Sequence, residues 1–158
     1  MRAEKSLAGQ TLELGGWRRH SHGDLRAGLG RISSDPISQT RMTLGEKQEH
    51  FAKSLEWMLG QAHRLGYGIR LRELQRTKEQ AAIYAKAGKG IRNSNHINCL
   101  AIDLYITLNG ELLWDGDEYV VLAKEWKERD VPGCEHCWGG DFKNRDVYHY
   151  SIRHHGVM

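Results

Sequence analysis

Polar and apolar positions alternate along this chain in short, well-punctuated blocks. The first block opens at Thr43, which makes a T-x-x-E capping box with Glu46. Phe51, Leu55, Met58, Ala62 and Leu65 then recur at helical spacing, and Gly66 is a natural stop. The pattern predicts a long scaffold helix that carries His50 and His63 on its surface. Tyr67, Ile69 and Leu71 alternate with Gly68, Arg70 and Arg72, predicting a strand that leads toward Arg76. Thr77 and Gln80 form a second capping box, opening a short helix through Ala81, Ile83, Tyr84 and Ala87. From Ala101 to Thr107 alternation returns: Ile102, Leu104 and Ile106 share one face, which turns Asp103 to the other. Asn109-Gly110 signals a hairpin, with Glu111 to Trp114 as the return strand. Tyr119, Leu122, Ala123 and Trp126 mark a third helix, and residues 146–152 have strand composition.

Residues 1–41 show no sustained period. Leu12, Leu14 and Trp17 are their apolar cluster, and Arg18, Arg19, His20, His22, Arg26 and Arg31 make the segment basic. Such a segment is expected to be a solvated, largely disordered arm, with binding to nucleic acid or lipid headgroups as the alternative. A single domain is expected over residues 42–158, in keeping with a chain of 158 residues.

Composition narrows the picture further. Hydrophobic residues are 39% and charged residues 27%, ordinary for a soluble globular protein, and a net charge of +3 is too small to indicate a nucleic-acid binder. Three cysteines, an odd number, argue against a disulfide framework. Cys134 and Cys137 form a lone CxxC; Cys99 and His136 are the residues that could complete a four-ligand zinc site, but small, partly buried thiols are the expected reading. No apolar run approaches the ~20 residues of a membrane span, so no membrane insertion is expected. The N-terminal residues lack the apolar region of a secretory signal. Synthesis in the cytoplasm as a monomer, with release by another agent, is the expectation.

The chemistry concentrates between Ser94 and Asp103. His96 and Asp103 stand seven residues apart, which does not suit one helix face; a loop delivering His96 into a strand that carries Asp103 fits better. A catalytic zinc needs a third protein ligand and leaves the fourth position to water. The best candidate is His149. Asp146, three residues earlier, can reach the same site only from a turn before the strand, because positions three apart in a strand face opposite ways. Lys89 to Asn93 is a polar loop suited to a cleft rim.

Ser94-x-His96, Ala101-x-Asp103, Asp146-x-x-His149 and the upstream Arg76 resemble, in order, the motifs of the zinc D-alanyl-D-alanine carboxypeptidase and L-alanyl-D-glutamate endopeptidase family, which includes several phage endolysins. Cys99 stands where that family's pattern has glycine. The resemblance implies an α+β fold of the Hedgehog/DD-peptidase type, with a small antiparallel sheet flanked by helices. It implies Zn2+ on His96, Asp103 and His149, and Asp146 as general base and acid. Arg76 would stabilise the oxyanion or clamp a substrate carboxylate, and Ser94 would orient a ligand or the substrate. Trp138, in a Trp-Gly-Gly element, is expected to line the cleft, a core position being the alternative. The implied substrate is the peptidoglycan stem peptide, cut at the L-alanyl–D-glutamate bond by an endolysin-type peptidase. A D-alanyl-D-alanine carboxypeptidase or dipeptidase is the alternative enzyme. A zinc-containing binding module without catalysis is the alternative of another class, and Asp146 argues against it.

Overall fold

Helix α1 (Leu44–Arg64) starts on the expected box: the Thr43 hydroxyl accepts the Glu46 amide at 3.3 Å, and the Glu46 carboxylate accepts the Thr43 amide at 2.7 Å. The chain is seen in a computed structural model that describes residues 41–158, so the arm expected over residues 1–41 lies, Arg41 apart, outside the described residues. After α1, the amides of Gly66 and Tyr67 return to the carbonyls of His63 and Ala62, and strand β1 (Gly68–Leu71) follows. Helix α2 (Lys78–Lys86) is capped by Thr77, whose hydroxyl accepts the Gln80 amide at 3.1 Å.

Strands β2 (Ala101–Leu108) and β3 (Glu111–Leu113) form the predicted hairpin. Asn109 and Gly110 both take positive φ, 52° and 85°, as the tight turn matching strand twist requires. Helix α3 (Asp117–Lys127) and strands β4 (His136–Trp138) and β5 (His149–Ile152) follow.

All pairings are antiparallel, in the order β1-β2-β5-β4, with β3 also paired to β2. Strand β2 is therefore the hub. One of its sides takes β1; the other is divided between β3, at residues 106–108, and β5, at residues 101–103. Ile102, Leu104 and Ile106 join Tyr150 and Ile152 in a core closed by Phe51 and Met58 of α1 and by Tyr119, Leu122 and Trp126 of α3. This is an α+β architecture. Its alternation leaves the face of β2 that carries Asp103 free for chemistry.

Phe51, Met58 and Ala62 of the predicted α1 stripe are buried and Leu55 packs against the core, with two departures. Ser54 is fully buried in the helix's inward face, while Leu65 is 49% exposed. Ser54 is satisfied there by His136 Nε2 at 3.0 Å, and His136 Nδ1 meets Asp130 Oδ1 at 3.0 Å. His50 is not a free surface residue either: its ring lies edge-on to His136, 5.2 Å between centroids, and Nε2 lies 3.2 Å from the Arg129 carbonyl. Cys134 and Cys137 are buried free thiols, and burial pushes the Cys137 thiol up to about 11. With His136 turned to Ser54 and Asp130, the CxxC assembles no metal site among the described residues. Among those residues no helix is long and apolar enough to cross a membrane.

Candidate metal centre

His96 reaches the site from a short 3-10 turn, Asn95–Asn98. Ser94 caps that turn, its Oγ accepting the His96 amide at 3.4 Å. Asn95, buried, donates Nδ2 to the carbonyls of Ile152 and Val157 at 3.0 and 3.1 Å, which fastens the turn to the end of β5. Cys99 leaves the turn in the left-handed region, φ 51° and ψ 39°. That conformation favours glycine and explains why a glycine suits this position.

Asp103 is fixed from both sides of β2. On the β1 side, the Arg72 amide donates to the Asp103 carbonyl at 2.8 Å, and the Asp103 amide donates to the Glu73 carbonyl at 3.0 Å. On the β5 side, Asp103 stands directly opposite His149 in register. Residues directly opposite in an antiparallel pair project side by side from one face. The sheet itself therefore brings two of the three predicted ligands together, and the 3-10 turn brings the third.

Three atoms converge. His149 Nδ1 is 3.0 Å from Asp103 Oδ1, His96 Nε2 is 3.3 Å from the same oxygen, and the two ring nitrogens are 3.3 Å apart. Zinc bonds of about 2.0–2.1 Å at tetrahedral angles place ligand atoms about 3.3–3.4 Å from one another. The triangle is thus close to one face of a zinc tetrahedron. As a purely hydrogen-bonded cluster it is poorly matched. If both rings donate to Asp103, two N–H groups oppose each other at 3.3 Å, whereas one cation would satisfy all three acceptors. The donor set, two imidazoles and a carboxylate, suits zinc. Among the described residues this is the one group of three or more such side chains close enough to hold a metal ion. The outer nitrogens, His96 Nδ1 and His149 Nε2, are buried without a protein partner.

Burial alone would raise the Asp103 carboxyl, but hydrogen bonds from His149 and His96 outweigh it and hold the group well below the usual carboxylate range. Asp103 is therefore an anion at the centre of the site.

Asp146 occupies the turn that the strand argument demands. The His149 amide donates to its carbonyl at 3.2 Å, closing a turn immediately before β5, and its own amide donates to the Gly139 carbonyl at 2.8 Å. Gly139 is required at that contact: a Cβ there would overlap the Asp146 carbonyl oxygen and come within 2.9 Å of His149 Cβ. Partial burial, and next the Asp103 charge, push the Asp146 carboxyl upward although the residue keeps an open surface.

Arg76 is held rigidly. Glu73, which the sequence reading did not single out, binds it through Nε at 2.8 Å and Nη2 at 2.5 Å. That pairing raises the pKa of Arg76 and lowers that of Glu73. Tyr84 lies beneath the guanidinium, 4.9 Å to the ring centroid. Nη1 is left to reach Ser94 Oγ at 3.3 Å. The i, i+3 spacing of Glu73 and Arg76 was the signal available for this pair, but outside a helix that spacing does not announce a contact.

A cavity of about 540 Å³ unites these groups: Arg76, Ser94, His96, Asp103, Asp146 and His149 all line it. Its rim includes Lys89 and Ile91, from the loop expected there, and Phe142, whose ring lies 5.6 Å from that of His149. Trp138 is not among the lining residues, which corrects the expectation that it lines the cleft. It is 5% exposed and part of the core, where Nε1 donates to the Val147 carbonyl at 2.9 Å. Its contribution is to steady the turn beside Asp146.

No protein-family model matches the chain, and no curated protein matches it in sequence. Among solved structures it is similar to the Serratia marcescens L-Ala D-Glu endopeptidase ChiX. The TM-score is 0.53 and identity 22%, covering 77% of this chain and 96% of that one. The likeness is one of fold.

Proposed function

We propose that this chain is a zinc-dependent peptidase of peptidoglycan that cleaves the L-alanyl–D-glutamate bond of the stem peptide. The observation that carries the reading is the triangle of His96 Nε2, Asp103 Oδ1 and His149 Nδ1, with edges of 3.0 to 3.3 Å, in one cavity with Asp146 and Arg76. Three protein ligands rather than four is the count of a catalytic zinc site. The fold it shares with an L-Ala D-Glu endopeptidase supports the choice of bond.

His96, Asp103 and His149 would hold the ion, which when bound supplies Lewis-acid polarisation of a carbonyl and lowers the pKa of water. Asp146, which lines the same cavity as the three ligands, takes the proton of the attacking water and passes it to the departing amine. Arg76, with two of its nitrogens committed to Glu73, presents the remainder of its fork toward Ser94 and the cavity. From there it steadies the developing negative charge or a carboxylate of the substrate. Glu73 serves as a positioning residue for Arg76.

Mass analysis of fragments released from purified peptidoglycan tests the assignment. New N-terminal D-glutamate is the expected product. Free D-alanine would instead identify a carboxypeptidase, and no released peptide at all would contradict the proposal.

A further inference from the structure

Ser94 lines two cavities. The second, of about 530 Å³, has walls from α2, from residues 92–98 and from the segment after β5. Four basic side chains face it, Lys78, Arg92, His154 and His155, with Asn93 and Asn98 between them, and no acidic residue lines it. Among the described residues, the lysine and arginine ion pairs are made by Arg76, Lys127, Arg145 and Arg153, so Lys78 and Arg92 carry charge with no carboxylate partner. Ser94, 6% exposed, is shared by the two cavities, and its neighbour Asn95, 2% exposed, is fixed by hydrogen bonds to Ile152 and Val157. The two cavities therefore adjoin at the residue that caps the turn presenting His96.

A concave wall with positive charges and no acids concentrates anions, and side-chain amides add donors that need no charge. We propose that this second cavity is an anion-binding extension of the substrate cleft that takes a carboxylate borne by the substrate peptide beside the cut bond. The inference rests on the peptidase reading given above and narrows it. A bond to D-glutamate carries such a carboxylate by its own chemistry, and the enzyme then discriminates between stem peptides whose glutamate carboxylate is free and those in which it is amidated. Charge-assisted hydrogen bonds of this kind contribute enough for about a tenfold preference.

Two readouts test it, using the full chain and the double variant Lys78→Gln, Arg92→Gln. Both positions are exposed and outside the core. The first is NMR titration of the amides of residues 93–98 with glutarate, a simple dicarboxylate. Saturable shifts are expected in the wild type, with binding weakened at least about tenfold in the variant. Their absence in the wild type would overturn the proposal, and tighter binding of inorganic phosphate than of glutarate would overturn the carboxylate assignment. The second is kcat/KM on synthetic stem peptides with a free or an amidated glutamate carboxylate. The wild type is expected to favour the free form about tenfold, with the ratio falling toward one in the variant; an unchanged ratio would overturn the proposal. Glutarate binding with neither peptide cleaved would contradict the peptidase reading and uphold the anion site.

Discussion

Asp146 and His149 stand three residues apart, and the proposed function gives them different work, one moving a proton and the other holding the ion. Asp146→Asn keeps the shape of the turn and removes the basicity. It is expected to retain zinc while turnover falls by roughly 10²–10⁴. His149→Ala is expected to lose metal and turnover together, because one of three protein ligands is gone. Metal content and rate measured on the same preparations separate the two roles; wild-type turnover in Asp146→Asn would place the base elsewhere. Glu73 acts one step further out. Glu73→Gln loosens both of its hydrogen bonds to Arg76, and the expected result is normal zinc content with kcat/KM reduced about tenfold or more. Unaltered kinetics would reduce the pair to a structural contact. Cys99 makes a third test, because it holds a left-handed conformation that costs an L-residue roughly 1–2 kcal/mol. Cys99→Gly should be neutral or slightly stabilising, while a β-branched Cys99→Val should lower the thermal transition. Equal melting of the two variants would contradict the strain.

At the level of elements, what could be read from the chain was what local chemistry decides. Thr43 with Glu46, Asn109-Gly110 and the alternation around Asp103 each carry their own geometry, so α1, the hairpin and β2 emerge where expected. The turn at Asp146 was legible too, because a proton carrier must share a face with His149 and a continuous strand forbids it. Pairings between distant segments were not legible. Ser54 looks like a surface residue until His136, brought in on β4, satisfies its hydroxyl inside the core. Trp138 sits beside two glycines and invites a cleft assignment, yet Val147 supplies the acceptor that lets its indole be buried. Glu73 is one acidic residue among many until the chain folds back on Arg76.

The His136 strap also makes stability depend on pH. Burial, against the opposing pull of Asp130, lowers its pKa to about 4, whereas the same residue in an unfolded chain titrates near 6.5. Between those values the unfolded chain binds a proton that the folded chain excludes, so this contribution is complete above about pH 6.5 and is lost as the pH falls toward 4. In metal-free protein, His136→Gln is expected to flatten the fall in thermal stability across that window by about 1–3 kcal/mol. An identical slope in both proteins would show that His136 is not the group responsible.

For the molecule as a whole, one strand organises both stability and chemistry. Strand β2 sends Ile102, Leu104 and Ile106 into the core closed by α1 and α3, and sends Asp103 to the opposite face, beside His149. A sheet that fixes the register of its core therefore also fixes Asp103 beside His149, since a slip of one residue would reverse every side chain. The central claim is that the atoms so positioned hold a catalytic zinc. Its most direct test is a zinc titration of folded protein first stripped by a chelator, with turnover on peptidoglycan followed at each addition. Turnover should start near zero and rise to a plateau at about one equivalent of zinc per chain; full turnover in the folded, metal-free protein would contradict the account.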